Sequence, residues 1–99
     1  MYFAIYCEDK EGTFEKRRSV RPAHLARLEE LHKQGRLLVA GPLLEKEEEN
    51  LLLAGVKGSL IVAEFPHLEE AKAWAAADPY VTADVYARVT ICPFKKVLP

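Results

Sequence analysis

A histidine and an aspartate, His24 and Asp78, are the residues of this chain whose types suggest acid-base chemistry. His24 lies in the amphipathic pattern "SVRPAHLARLEELHKQG" (residues 19–35), at a position where leucines otherwise occur. Asp78 ends an alanine-rich stretch and precedes a proline. A carboxylate beside an imidazole raises its basicity and fixes its tautomer. If the two residues meet, they form a dyad in which the carboxylate orients the imidazole for proton transfer.

The predicted helices direct both side chains inward. On an ideal helix with about 100° per residue, Leu28 lies about 40° from His24, so His24 shares the apolar arc. In the second predicted helix, Asp78 falls between Ala71 and Trp74, which also lie on the apolar arc. In a βαββαβ domain the start of the first helix and the end of the second lie at the same edge. The sequence therefore predicts that His24, near a helix N-terminus, contacts Asp78.

Both residues also have ordinary structural interpretations. An inward histidine can be a core residue whose hydrogen bonds are satisfied, and an aspartate before a proline can simply end a helix. The sequence leaves both interpretations of the pair open.

Three further residues are candidate substrate-binding groups. Arg21 falls inside the same apolar arc, and cations around a helix N-terminus oppose the helix dipole, which suggests an anionic or carbonyl-containing ligand. Ser19 is predicted to cap this helix and to bind the same ligand group. Tyr80 follows Asp78 by two residues, so it can line the same cleft or serve as an ordinary packing aromatic.

The other charged and histidine residues have structural interpretations. Arg17 and Arg18 lie near Arg21 and add to the positive charge that suggests an anionic ligand, but an exposed basic loop is the preferred interpretation of both. The acidic run "EKEEEN" (residues 45–50) predicts a solvated loop. His32 lies in the last turn before Gly35, where a cationic side chain complements the helix dipole. The three histidines lack metal-ligand spacing and there is no phosphate-binding glycine loop, so we expect neither a metal nor a cofactor.

Composition and charge restrict the class of protein. The chain has 99 residues, of which 49% are hydrophobic and 29% charged, as expected for one globular domain over residues 1–99. A net charge of -1 argues against a nucleic-acid partner. No run reaches membrane-spanning length and the first residues lack a secretion leader, so we expect a cytoplasmic protein without a membrane partner. Cys7 and Cys92 are interpreted as two buried, reduced thiols.

The chain alternates strand and helix patterns in the order βαββαβ. The strands are predicted at residues 2–8, 36–44, 58–65 and 85–94, and the helices at 19–35 and 67–78. This order predicts an α+β, ferredoxin-like fold, a four-stranded antiparallel sheet with both helices on one face. Pro22 is placed in the first helical turn, and the Gly41-Pro42 step is expected to end or bend the second strand.

The strands also predict a partner. "LLVAGPLL" and "SLIVAEF" are apolar on both alternating faces, whereas two helices can cover only one face of the sheet. A second copy of the same sheet is the simplest cover for the other face. We therefore expect a homodimer in which the sheets pack face to face.

Several segments together resemble the YciI-like (YCII-related) family over essentially the whole chain: "RPAHLARLEELHKQGRLLVAGP", "GSLIVAEF", "AWAAADPYV" and "PFKK". The resemblance implies a dimeric α+β barrel and a catalytic His-Asp pair at His24 and Asp78, with Arg21 in the cleft. The segment "EKEEENLLLAG" departs from the family, which is more polar and glycine-rich there, so the loop contacts around the cleft are in question. Fold relatives in this superfamily include isomerases and cofactor-free oxygenases that act on small cyclic compounds.

Together these observations predict a small cofactor-independent enzyme. His24 is the general base or acid, Asp78 orients it, and Arg21 with Ser19 binds a carbonyl or carboxylate group. The expected reaction is an isomerisation or an elimination, such as a dehydrochlorination, on a small cyclic or carbonyl-containing molecule. The alternative is a non-catalytic module that holds a small anion in the same cleft.

Overall fold

Four antiparallel strands, two longer helices and two short helices of four residues make up the computed structural model, which describes all residues from 1 to 99. In chain order the elements are β1 (Tyr2–Asp9), α1 (Phe14–Lys33), β2 (Leu37–Leu44), α2 (Leu51–Ala54), β3 (Val56–Glu64), α3 (Leu68–Ala76), α4 (Pro79–Thr82) and β4 (Tyr86–Phe94). The strand order across the sheet is β2-β3-β1-β4, and every neighbouring pair is antiparallel. The predicted α+β, ferredoxin-like fold is therefore confirmed.

The hydrophobic core lies between one face of the sheet and the helices. Phe3, Ile5 and Cys7 alternate along β1 toward this side, and each is at most 3% exposed. Leu28 and Leu31 of α1 pack against them in the same core. No helix of the chain is both long enough and apolar enough to cross a membrane.

The first helix begins at Phe14, well before the predicted start. Gly12, with a φ of 73°, turns the chain sharply after β1, and glycine adopts this conformation without strain. Ser19 therefore lies inside α1, where its hydroxyl donates to a main-chain carbonyl at 2.7 Å, and its prediction as the helix cap is wrong. Pro22 also lies in the helix interior. Packing of the preceding turns against the sheet outweighs the cost of that proline.

The predicted helix at 67–78 is two helices. α3 ends at Ala76, and Asp78 then caps the short helix α4 by accepting a hydrogen bond from the Tyr80 N–H at 2.8 Å. Pro79 occupies the first turn of α4, where its missing N–H costs nothing. The Asp78-Pro79 step thus ends one helix and begins another, whereas the sequence pattern indicated only an end.

The edge strands differ from expectation in two places. β2 continues through Gly41-Pro42, and Pro42 pairs opposite Ser59, because β2 is an edge strand and a proline there removes no shared ladder bond. Cys92 on the other edge strand, β4, is exposed, so the prediction of two buried thiols is correct only for Cys7.

The acidic loop at 45–50 is exposed as predicted, and the short helix α2 that follows it was not expected.

Gly58 provides a test of the β1–β3 ladder. A Cβ at this position would overlap the main-chain carbonyl oxygen of Cys7, which cannot move without opening the sheet. We expect Gly58→Ala to lower the free energy of unfolding by about 2–3 kcal/mol, measured by urea denaturation. Gly41→Ala is the control, because its Cβ meets nothing within 4 Å and a change within about 0.5 kcal/mol is expected. Equal stability of the two variants would contradict this account.

Candidate functional site

His24 and Asp78 are in contact between the middle of α1 and the start of α4. The Nδ1 atom of His24 lies 3.0 Å from Oδ1 and 2.9 Å from Oδ2 of Asp78. Both residues are buried, with exposed fractions of 6% and 2%. A carboxylate can only accept, so the neutral imidazole carries its proton on Nδ1 and leaves Nε2 as a free acceptor. The expectation that His24 lies near the helix N-terminus is wrong, because α1 begins at Phe14 and not at Ser19.

Tyr80 holds both members of this pair. Its main-chain N–H donates to Oδ1 of Asp78 at 2.8 Å, and its ring stacks on the imidazole of His24 with a centroid distance of 4.1 Å and an interplanar angle of 24°. Burial raises the pKa of the Tyr80 phenol, while the charges of Arg17 and Arg21 act in the opposite direction. The phenol hydroxyl is buried and has no hydrogen-bond partner. The ring therefore acts as a rigid, uncharged support for the imidazole.

Arg17 is the site residue that the sequence pattern missed. Instead of lying in an exposed loop, it is 5% exposed, and its Nε and Nη2 atoms donate to the carboxylate of Asp9 at 2.9 and 3.3 Å. Its guanidinium carbon lies 4.2 Å from the centroid of the Tyr80 ring. Arg17 precedes His24 by seven residues, which is two helical turns, so both project from the same face of α1. That spacing would have revealed Arg17 had the helix start been placed at Phe14.

The guanidinium of Arg17 belongs to a buried polar network. Nη2 also donates to the hydroxyl of Ser59 at 2.6 Å, and the Tyr86 hydroxyl donates to the same oxygen at 3.0 Å. Burial lowers the pKa of Arg17, but the hydrogen-bonded charge of Asp9 more than offsets this, so the pKa is raised overall. Burial also raises the pKa of Tyr86. Arg17 is therefore a permanent cation beside a neutral phenol.

Of these groups, His24, Tyr80, Arg17 and Ser59 line a cavity of about 310 Å³ between α1 and the strands β2 and β3. The Nε2 atom of His24 makes no hydrogen bond within the protein and is not enclosed, so it is open to this cavity. Much of the remaining wall is apolar and includes Leu25, Leu28, Pro42, Leu52, Val56 and Ile61. A small apolar cavity with a few polar groups is typical of a small-molecule site.

The other candidates from the sequence occupy different places. Arg21 is exposed but lies in the cavity wall, and it makes no ion pair. The helix-dipole argument for Arg21 no longer holds, because this residue lies inside α1. Ser19 is not in the cavity wall, and its hydroxyl is bonded to the main chain. Arg18 is exposed as expected and pairs with Glu15, although it too reaches the cavity wall.

His32 is exposed in the last turn of α1, as predicted. No group of three or more histidine, cysteine, aspartate or glutamate side chains is placed to hold a metal ion.

Comparison with known proteins places the chain in a family. The YCII-related domain matches residues 1–95. The chain belongs to the YCII-related family. Protein YciI of Escherichia coli O6:H1 (strain CFT073) is 56% identical over 97 residues, covering 98% of this chain and 99% of that protein. An uncharacterized protein of Haemophilus influenzae is 52% identical over 97 residues with the same coverage. The resemblance noted from the sequence is therefore confirmed.

A solved structure is similar to this YCII-related protein over almost its full length. It is the 5-chloro-2-hydroxyhydroquinone dehydrochlorinase TftG from Burkholderia phenoliruptrix AC1100, with a TM-score of 0.85 and 28% identity. The match covers 96% of this chain and 94% of that chain. The TftG structure is a complex with 2,5-dihydroxybenzoquinone.

The hydrogen bonds of Asp78 predict how an amide would change the tautomer of His24 in this YCII-related protein. In Asp78→Asn, the amide oxygen is needed to accept from the Tyr80 N–H, so the amide NH₂ faces Nδ1 and donates to it. We therefore expect the neutral imidazole to move its proton from Nδ1 to Nε2. Long-range ¹H–¹⁵N NMR of the ring nitrogens measures this change, with the exposed His32 as internal control. An unchanged His24 tautomer would contradict the described contact.

Proposed function

We propose that this chain, as a single domain, is a cofactor-independent enzyme that transfers a proton on a small cyclic or carbonyl-containing organic molecule. The observation that carries the proposal is the orientation of His24. Asp78 binds Nδ1, and Nε2 faces a cavity of about 310 Å³. An oriented imidazole with one free nitrogen in a largely apolar cavity suits a general base.

The proposed reaction begins when Nε2 of His24 takes a proton from a carbon next to a carbonyl group. The electron pair of the broken C–H bond moves toward the carbonyl and forms an enolate, while Asp78 stabilises the imidazolium. In an isomerisation, the imidazolium returns the proton to a different carbon. In an elimination, the enolate expels a leaving group such as chloride, and the imidazolium loses its proton to water. Neither course requires a cofactor.

The walls of the cavity support an anionic or carbonyl-containing ligand. Arg17, Arg18 and Arg21 all reach the cavity, whereas no carboxylate lines it. The nearby carboxylates of Asp78 and Asp9 are bonded to His24 and Arg17. The relative TftG is a dehydrochlorinase solved with 2,5-dihydroxybenzoquinone, an acidic planar ring. Hydroxylated or quinone-like rings are therefore the first compounds to test. Ser19 has no part in this proposal, because its hydroxyl is bonded within α1.

The same three arginines favour a second candidate, a module that binds a small anion without chemistry. The two candidates differ in one respect, which is whether His24 affects turnover. Binding alone would need the positive charge of the cavity, whereas catalysis also needs the free Nε2 of His24.

His24→Gln is expected to reduce turnover at least about 100-fold, because the amide cannot exchange a proton in the way an imidazole does. The screen uses chlorinated hydroxyhydroquinones, hydroxyquinones, ring lactones and short keto acids, followed by absorbance and by chloride release. His32→Gln is the matched control, since His32 is exposed on the same helix, and we expect it to retain wild-type rates. Equal rates in wild type and His24→Gln would favour the binding module instead.

We also propose that the protein is a homodimer whose sheets pack face to face. On the sheet face away from the helices, β1, β2 and β3 carry apolar side chains that are partly uncovered within one chain, while Glu8 and Arg88 pair at its edge. Tyr6 is 44% exposed and Val39 is 51% exposed, and they pair opposite Leu60 and Val62 of β3. A second copy would cover this face with its own matching surface. The expected cytoplasmic location stays a prediction.

The double variant Tyr6→Glu/Val39→Glu tests the dimer by placing charges on the open face. Wild type is expected to sediment as a dimer at micromolar concentration and the double variant as a monomer, because buried unpaired carboxylates are costly. Leu53→Glu is the control, since Leu53 is 64% exposed on α2 and lies outside the sheet. A wild-type protein that sediments as a monomer would end this proposal.

A further inference from the structure

Arg17 is a buried cation that is bonded to side chains of two strands. Asp9 of β1 binds two of its nitrogens, and Ser59 of β3 accepts a third hydrogen bond. The ion pair is almost fully buried, with side-chain exposures of 6% for Arg17 and 4% for Asp9. The attraction between two buried charges often fails to offset the free-energy cost of removing them from water. Proteins in which apolar residues replace such a pair are often as stable as the original. Its position in the cavity wall therefore points to a function for this cation.

One nitrogen of Arg17 is free. Nε and Nη2 are bonded to the protein, whereas Nη1 makes no hydrogen bond and is not enclosed. Arg17 and His24 line the same cavity, and Nη1 and Nε2 are their nitrogens that no protein group binds at hydrogen-bonding distance. The bonds to Asp9 and Ser59 fix the plane of the guanidinium, so this donor is held in place before any ligand arrives.

The Tyr80 ring sets the spacing between the cation and the imidazole. The Arg17 guanidinium carbon and the His24 ring centroid lie 4.2 and 4.1 Å from the same ring centroid. Because Arg17 and His24 are two helical turns apart, a ring that contacts both lies between them. Nη1 and Nε2 can therefore reach two different atoms of one small planar molecule.

We propose that Arg17 binds the anionic oxygen of the ligand, and that this oxygen gains negative charge when His24 removes a proton. The ligand class is a planar ring that carries an acidic hydroxyl whose oxygen is conjugated with the carbon that loses the proton. This proposal rests on the proposed function in that the ligand occupies the same cavity. A fixed cation near a developing oxyanion lowers the activation barrier of the reaction, because the polar groups of the protein need not reorganise as the charge develops.

The neighbouring arginines are less suited to this role. Arg18 is 55% exposed and pairs with Glu15, and Arg21 is exposed with no partner that fixes it. Both contribute positive charge at the mouth of the cavity. Only Arg17 among the three is oriented by buried partners.

The test measures binding and uses 2,5-dihydroxybenzoquinone as the anionic probe and 2,5-dimethoxybenzoquinone as its neutral counterpart. Isothermal titration gives the dissociation constant of each compound. Arg17→Gln/Asp9→Asn is the main variant, because it removes both charges of the buried pair and leaves neither unpaired. We expect it to bind the anionic probe about 10- to 100-fold more weakly than wild type, as expected for loss of a hydrogen bond to a charged group. Binding of the neutral compound is expected to change less than about twofold.

Lys16→Gln is the matched control, because it removes one exposed cation from the adjacent position of α1, outside the cavity wall. It is expected to bind both compounds like wild type. Arg17→Lys keeps the charge, but an ammonium cannot bond both oxygens of Asp9 and also reach the cavity, so intermediate binding is expected. Circular dichroism and urea unfolding establish that each variant is folded.

Two results would overturn the proposal. One is a folded Arg17→Gln/Asp9→Asn variant that binds the anionic probe as tightly as wild type, and the other is a wild type that does not bind it. His24→Gln separates this proposal from the proposed function, because it is expected to bind the probe and to lose turnover. Unchanged turnover in His24→Gln would defeat the enzyme proposal, whereas the binding result for Arg17 would still stand.

Discussion

A buried carboxylate must receive hydrogen bonds, and the site depends on how Asp78 obtains them. Its two donors are the Tyr80 N–H at the start of α4 and Nδ1 of His24 in the middle of α1. The first bond requires a break between α3 and α4, and the second requires α1 to lie against that break. Once both bonds form, the imidazole has one possible orientation, and Nε2 faces the cavity.

Tyr80 joins this pair to a second polar cluster. Its ring contacts the imidazole of His24 on one side of the site and the guanidinium of Arg17 on the other. Arg17 in turn is bonded to Asp9 of β1 and Ser59 of β3. The imidazole and the guanidinium are thus attached to α1 but fixed by partners from other elements. A small domain can hold two polar groups at a set spacing in this way, without a metal or a long loop.

Helical periodicity predicted the inward position of His24, and the βαββαβ topology was needed to predict its contact with Asp78. That contact forms although Asp78 lies just beyond α3 and caps α4. Proline misled the prediction of helix boundaries, since Pro22 and Pro79 are each compatible with a start, a stop or a tolerated interior position. Arg17 was not predicted as a buried residue, because the predicted start of the helix at Ser19 left it outside the helical pattern. Its burial depends on partners in β1 and β3, and nothing in the adjacent "KRR" run distinguishes it from the exposed Arg18.

A crystal structure of the protein with 2,5-dihydroxybenzoquinone would test the central claim most directly. The account predicts that the ring lies in the cavity with one of its atoms at hydrogen-bonding distance from Nε2 of His24. A second oxygen should lie on Nη1 of Arg17, and Nδ1 of His24 should remain bonded to Asp78. A ligand bound outside the cavity, or an imidazole turned so that Nδ1 leaves Asp78 and contacts the ligand, would contradict it.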